Sequence, residues 1–452
     1  MVARDAIVRQ RDELAAPDSL IVGPRHAARG AVALESPAHA RRFPLSLSRQ
    51  NVALLATLGP GLVVMLADTD AGSVITAAQS GAQWGYRMVL PEVVLIPVLY
   101  VVQEMTARLG MVTGTGHAAL IRQRFGRGWA LLSAFTLLAT VTGALISEYA
   151  GVAGVGELFG ISPWATVPVV TAVMAGLVCT GSYRHVERVG IAIGLAELAF
   201  ICAMLMSRHS GDAFAQSVSL PFGNAAYMRL LAANVGAVIM PWMIFYQQGA
   251  VIDRGLQSTS IRRERADTAA GAVVTQVVMI SIVIALAATA GQRHHETVFN
   301  TVGQISAALQ PIFGTVAAKT LFATGMLGAA LVATLVSSLA GAWGLAETFG
   351  WRHSLNQRPG RKTAGFYLTF VLVNAAGATV VLASNHLISL AIDVEVMNAL
   401  LLPIVLGFLL VLESTALPPG HRMRGWYRYA TWALCLAVIG FALYLIPATL
   451  HL

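Results

Sequence analysis

The chain has 452 residues, 56% hydrophobic and only 12% charged. That balance excludes a soluble enzyme and describes a polytopic membrane protein. A net charge of +8 would suit a nucleic-acid binder, but the basic residues are spread over every short loop on one side, as orientation signals are, so no nucleic-acid partner is expected.

Residues 1–50 carry eight arginines, scattered acids and prolines, and no apolar run long enough for a signal peptide. They read as a basic, disordered cytoplasmic tail, solvated and topogenic rather than lipid-binding. The transmembrane domain occupies 51–452. A span needs about 20 mostly apolar residues, and eleven segments qualify, near 51–78, 84–110, 128–155, 161–181, 188–207, 229–253, 268–291, 314–347, 364–385, 387–412 and 427–448. With the N-terminus inside, 25 of the 30 Lys and Arg residues fall on the inner side. That asymmetry predicts a multi-pass protein of a cell (inner) membrane, N-terminus cytoplasmic and C-terminus outside. Cys179, Cys202 and Cys435 lie in apolar runs, match no metal-ligand spacing, and read as small buried hydrophobes. The glycines of 151–160 suit close helix packing better than phosphate binding. With no nucleotide-binding loop visible, uphill transport would be secondary.

Two of these segments are interrupted. The first break reads Leu66-Ala67-Asp68-Thr69-Asp70-Ala71-Gly72-Ser73, and the second reads Gly236-Ala237-Val238-Ile239-Met240-Pro241-Trp242. They fall in helices one and six, about 170 residues apart. Paired breaks in two halves are the sequence mark of a transporter's binding site. The expected fold is all-α: a 5+5 inverted repeat, about 51–207 and 229–412, with an extra helix at about 427–448.

The motifs resemble the NRAMP family of divalent-metal transporters across nearly the whole membrane region. The resemblance rests on Gly59-Pro60-Gly61, on Gln79-Ser80-Gly81-Ala82-Gln83-Trp84-Gly85-Tyr86 and on Ala107-Arg108-Leu109-Gly110-Met111-Val112-Thr113-Gly114. Helix six adds Gly236-Ala237 and Met240-Pro241, and helix eight adds Leu327-Gly328-Ala329-Ala330-Leu331-Val332-Ala333-Thr334. Matched to the family's Asp-Pro-Gly-Asn, helix one reads Asp70-Ala71-Gly72-Ser73, so the metal-binding Asp is kept as Asp70 and the Asn becomes Ser73. Matched to Ala-x-x-Met-Pro-His, helix six keeps Ala237, Met240 and Pro241 but has Trp242 for His. A second family His falls at Gln247. The family's proton-transfer Glu is kept as Glu148, while two further acidic positions of that helix fall on Leu138 and Leu145. A family Gln eight residues before a Pro becomes Glu395, before Pro403.

The resemblance implies a metal site of Asp70, the Ala237 carbonyl, the Met240 thioether, Ser73 and Glu395. Asp68 has no family counterpart and reads as a second ligand, a proton carrier or a helix cap; Glu148 is a further proton carrier. Trp242, Gln247 and Gln103 are expected to line the cavity. Asp393 and Glu395, at i and i+2, cannot share a helical face, so one of them faces the cavity. A thioether favours transition metals, whereas added carboxylate oxygen favours harder ions. Glu104 could line the cavity or the inner vestibule, and His294-His295-Glu296 reads as a solvated loop.

The expected function is secondary import of a divalent cation, Mn2+ or Fe2+ first and Mg2+ close behind. Symport with protons is open because Trp242, Gln247, Leu138 and Leu145 cannot carry them. No enzymatic activity and no cofactor are expected; the partners are the metal ion, protons and the bilayer. The alternatives are a transporter of a small organic cation or amino acid, with Trp242 stacking on it, and a non-transporting receptor-like relative.

Overall fold

The computed structural model describes residues 64–65, 67–179, 195–207, 211, 213–291, 297–352 and 359–450. The expected tail 1–50, the Gly59-Pro60-Gly61 motif, Leu66 and the His294-His295-Glu296 loop lie outside the described residues. Among the described residues the regular elements are all helices and there is no strand.

Helix α1 (Ala71–Trp84) starts where the first break ends. Asp70 is extended and its side chain accepts from the Ser73 N–H, so this residue is the N-cap. A single turn over Gly85–Met88 joins it to α2 (Val89–Thr113), with Gly85 at φ 59°. Only glycine takes that conformation without strain. Helix α3 (His117–Phe125) follows, then α4 (Arg127–Leu158), α5 (Pro163–Cys179) and α6 (Ala199–Met206). The sixth expected span divides into α7 (Ala225–Val238) and α8 (Pro241–Asp253). Pro241 takes the first position of α8, where its missing N–H costs no helical hydrogen bond and its fixed φ suits a helix start. The chain continues through α9 (Ile261–Thr289), α10 (Val302–Ala308), α11 (Thr315–Phe349), α12 (Ala364–Ala383), α13 (Leu387–Ala416) and α14 (Gly425–Leu450).

Eight helical stretches among the described residues are long and apolar enough to cross a membrane, and one of them, Ala71–Thr113, combines α1 and α2. The expected fourth span is the shorter α5, and of the fifth, residues 188–194 lie outside the described residues while the rest forms α6 and the turn before it. The ends differ from expectation where polar residues join a helix: α9 begins at Ile261 rather than 268 and takes in Glu264 and Arg265. Helix α3 was not expected, because nine residues ending in Arg122 and Arg124 carry no spanning signal.

Helix α4 packs along α11 and α13. Helix α1 lies against α9, and α8 lies against α2 in the corresponding way. This reciprocity is what an inverted repeat produces: first helix against seventh, second against sixth. Close approach depends on missing side chains. A Cβ at Gly151 would overlap Ala71, and one at Gly154 would overlap Val302, so the glycines of α4 serve packing. Cys435 is buried as expected, but Cys202 is exposed, which corrects that reading. An apolar membrane helix has a lipid-facing side as well as a packed one, and Leu205 and Met206 of α6 are exposed with it.

At one end of the bundle, Arg108 of α2 is buried between Glu104 (3.0 Å) and Glu413 of α13 (3.3 Å). Glu104 also accepts from Arg265 of α9 at 2.7 Å and from the Tyr427 hydroxyl of α14 at 3.2 Å. Glu104 therefore belongs to a charge network joining four helices. That network fixes the appended α14 to the repeat.

Candidate cation site at the two helix breaks

Residues 67–70 leave the helical path, and this allows Asp68 and Asp70 to be buried together although they are two apart in sequence. Asp70 uses Oδ1 for the Ser73 N–H at 2.7 Å, while Oδ2 has no hydrogen-bond partner among the described residues. Both carboxylate oxygens of Asp68 also lack one. The second break sits at Ile239 and Met240, whose non-helical backbones come just before Pro241.

One side chain joins the breaks. The Ser73 hydroxyl reaches the Asp68 carbonyl at 2.9 Å and the Ala237 carbonyl at 3.2 Å, sharing its single proton between them. Ser73 thus joins Asp68, Asp70 and Ala237, and Met240 stands three residues beyond Ala237 at the second break. Each is at most 2% exposed, so this conformation closes the site to solvent. On the far side Thr275 of α9 donates to the Met65 carbonyl and lies 3.3 Å from the Thr69 hydroxyl, holding the unwound segment.

Carboxylates of two other helices lie beside Asp70. Glu148 of α4 accepts from the Ala71 N–H at 3.2 Å through Oε2, and its Oε1 has no hydrogen-bond partner among the described residues. Glu395 of α13 is buried, accepting from Asn398 at 3.0 Å and from Ser147 at 3.4 Å. A Cβ at Gly72 would overlap Glu395 Oε1, and one at Gly236 would overlap the Glu395 main-chain oxygen. Both breaks therefore rest on residue 395. Asp393 instead pairs with Arg229, both about half exposed. Of the two acids, Glu395 is the one that faces inward.

The remaining candidates spread along the helices. The Trp242 indole is fully buried and donates to the Met240 sulfur at 3.2 Å. Gln247 turns toward α9 and donates to Glu264 at 3.0 Å. Gln103 is buried with neither amide atom hydrogen-bonded to a described residue. No group of three His, Cys, Asp or Glu side chains converges to hold a metal among the described residues. The donors at the breaks are mixed: carboxylate, thioether, hydroxyl and backbone carbonyl. A partly dehydrated ion of intermediate hardness suits such a set.

Three buried polar residues went unmarked in the sequence. Glu92 of α2 is fully buried beside Gln276 of α9, whose amide nitrogen donates to it at 3.1 Å once the amide is oriented to satisfy both groups. Glu197 is buried just before α6. His117 opens α3 with Nδ1 3.1 Å from Gln248 Oε1 and its ring edge-on to Phe245 of α8, the centroids 4.8 Å apart. Burial pushes its imidazole down to about 4, although the Gln248 contact opposes this. The Glu347 carboxylate of α11 accepts from the Ala118 N–H at 3.1 Å, so α3 bridges α8 and α11. No periodicity marks these residues, because their partners are hundreds of positions away or on separate helices.

A family model described as natural resistance-associated macrophage protein-like matches residues 61–448. The divalent metal cation transporter MntH of Yersinia pestis is 29% identical over 300 residues, covering 64% of this chain and 71% of that protein. MntH of Verminephrobacter eiseniae is 28% identical over 315 residues, covering 64% and 67%. Among solved structures, the Eremococcus coleocola manganese transporter superposes with a TM-score of 0.70 at 18% identity, over 90% of this chain and 89% of that one. MhsT in complex with L-phenylalanine gives 0.59 at 13% identity, over 85% and 98%.

Proposed function

The chain belongs to the natural resistance-associated macrophage protein-like family, and we propose that it carries a divalent metal cation, manganese foremost, through the point where its two broken helices meet. The observation that carries this reading is the Ser73 hydroxyl bridging the Asp68 and Ala237 carbonyls, beside an Asp70 oxygen that has no hydrogen-bond partner among the described residues. Asp70 supplies the charge for the ion, and Met240 and the Ala237 carbonyl complete the near side. Ser73 holds the two carbonyls in register and adds its own oxygen. Glu395 adds a carboxylate from α13, its oxygens steadied by Asn398 and Ser147.

Because every one of these groups is buried, the ion enters and leaves only when the helices move. The breaks are natural hinges, and rocking of one helix set against another gives each side access in turn. The basic loops support an N-terminus inside, and in that orientation we assign the ion an inward path across a cell (inner) membrane. The proton step belongs to Glu148, which touches the start of α1 and has one oxygen without a hydrogen bond to any described residue. Mn2+ or Fe2+ precedes Mg2+ because the thioether is present. Trp242 is fully buried with its N–H on Met240, so it offers no open face to an organic cation.

The test is uptake into liposomes carrying the purified protein, with Mn2+ and Mg2+ followed by fluorescent indicators and internal pH recorded together. Saturable Mn2+ entry with internal acidification is expected. Transport of a zwitterion that no divalent metal affects would overturn the reading.

A further inference from the structure

We propose that Trp242 is a specificity-determining residue that acts on the ion through Met240; this rests on the reading of Met240 as a ligand. Side chains at i and i+2 diverge on a regular helix. These two meet because Met240 is the extended cap (φ −73°, ψ 127°) and Trp242 is the second residue of α8. The contact is directional, since an indole N–H only donates and a thioether can only accept. With both side chains completely buried, water does not compete for either group.

The consequence lies in the sulfur. A thioether has two lone pairs, and Trp242 engages one, leaving the other for a cation. A hydrogen bond donated to a ligand atom draws electron density from it, so partners outside the coordination shell tune what the metal feels. Ions differ in their response. A soft cation such as Cd2+ draws much of its binding from sulfur, whereas Mn2+ leans on the oxygens of Asp70 and Ala237. Trp242 therefore holds down soft-ion binding at a site that keeps a soft ligand.

The experiment measures half-saturation for Cd2+ and Mn2+ uptake in liposomes. W242F removes the donor and leaves that electron density on the sulfur, so the Cd2+ value is expected to fall about tenfold relative to that for Mn2+, an effect of the size that outer-shell partners have. Benzothienylalanine at position 242 keeps the indole's shape with sulfur in place of the N–H, and the same shift is expected without a cavity. In an M240A background neither replacement should move the ratio. An unchanged ratio with the isostere overturns the proposal for Trp242. An M240A protein with the wild-type Cd2+/Mn2+ ratio overturns the underlying reading of Met240 instead.

Discussion

Asp70 does two separable jobs, and two substitutions pull them apart. Oδ1 caps α1 through the Ser73 N–H at 2.7 Å, while Oδ2 has no hydrogen-bond partner among the described residues. Asparagine caps a helix about as well as aspartate, whereas alanine does not, at a cost of about 1 kcal/mol. D70N should therefore keep the start of α1 and lose only the charge, while D70A loses both. Removing a mere outer-shell partner lowers metal affinity roughly 10- to 100-fold, so removing the ligand itself should cost at least about 100-fold. Saturable Mn2+ uptake into liposomes is expected to vanish in both variants across the concentration range that saturates the parent. In detergent, D70A should unfold about 1 kcal/mol more readily than D70N. Half-saturation of D70N within tenfold of the parent would refute Asp70 as ligand, and equal stability of the two variants would refute its role as cap.

Glu148→Gln keeps an oxygen for the Ala71 N–H but has no proton to release, so Mn2+ should enter without internal acidification in the paired indicator assay. Gly236→Ala places a Cβ into the Glu395 main-chain oxygen, which cannot rotate away, and should destabilise by about 1–3 kcal/mol in a thermal-shift measurement. Gly128→Ala, with nothing within 4 Å, is the control and should be neutral or stabilising by up to about 1 kcal/mol. His117 is held neutral in the fold, down at about 4 from an ordinary 6.5. The stability it confers is fully present above pH 6.5 and lost as pH falls toward 4, roughly 2 kcal/mol between pH 7 and 5. His117→Leu should flatten that slope in unfolding followed against pH. Arg108→Met leaves Glu413 buried without its cation, while Glu104 keeps Arg265, and should cost about 3–5 kcal/mol of stability, partly recovered by adding Glu413→Gln.

What the sequence could tell followed from how local each signal is. The breaks were legible because a Pro after Met240 and two acids in an apolar segment violate the helical pattern on the spot. Which of Asp393 and Glu395 faces inward was not, since that depends on the Arg229 side chain and on the two glycines packed against α13. The Met240–Trp242 hydrogen bond escaped for a related reason. Helical spacing forbids it, and only the extended backbone at the break permits it. His117 was silent because its partners Gln248 and Phe245 lie on another helix, and an isolated His in a short polar segment has no period. The eleventh span could be counted from hydropathy, but its attachment to the bundle through Tyr427 and Glu104 could not.

Gly72 and Gly236 face the same residue of α13, one toward its side chain and the other toward its main chain. Position 395 thus works like a shared axle with a hinge bearing on each side. Sliding or turning α13 changes the clearance at both bearings together, and a shift of either broken helix pushes back on the other through it. The two helix breaks are in this way mechanically coupled through one residue of a third helix, without touching each other at that point.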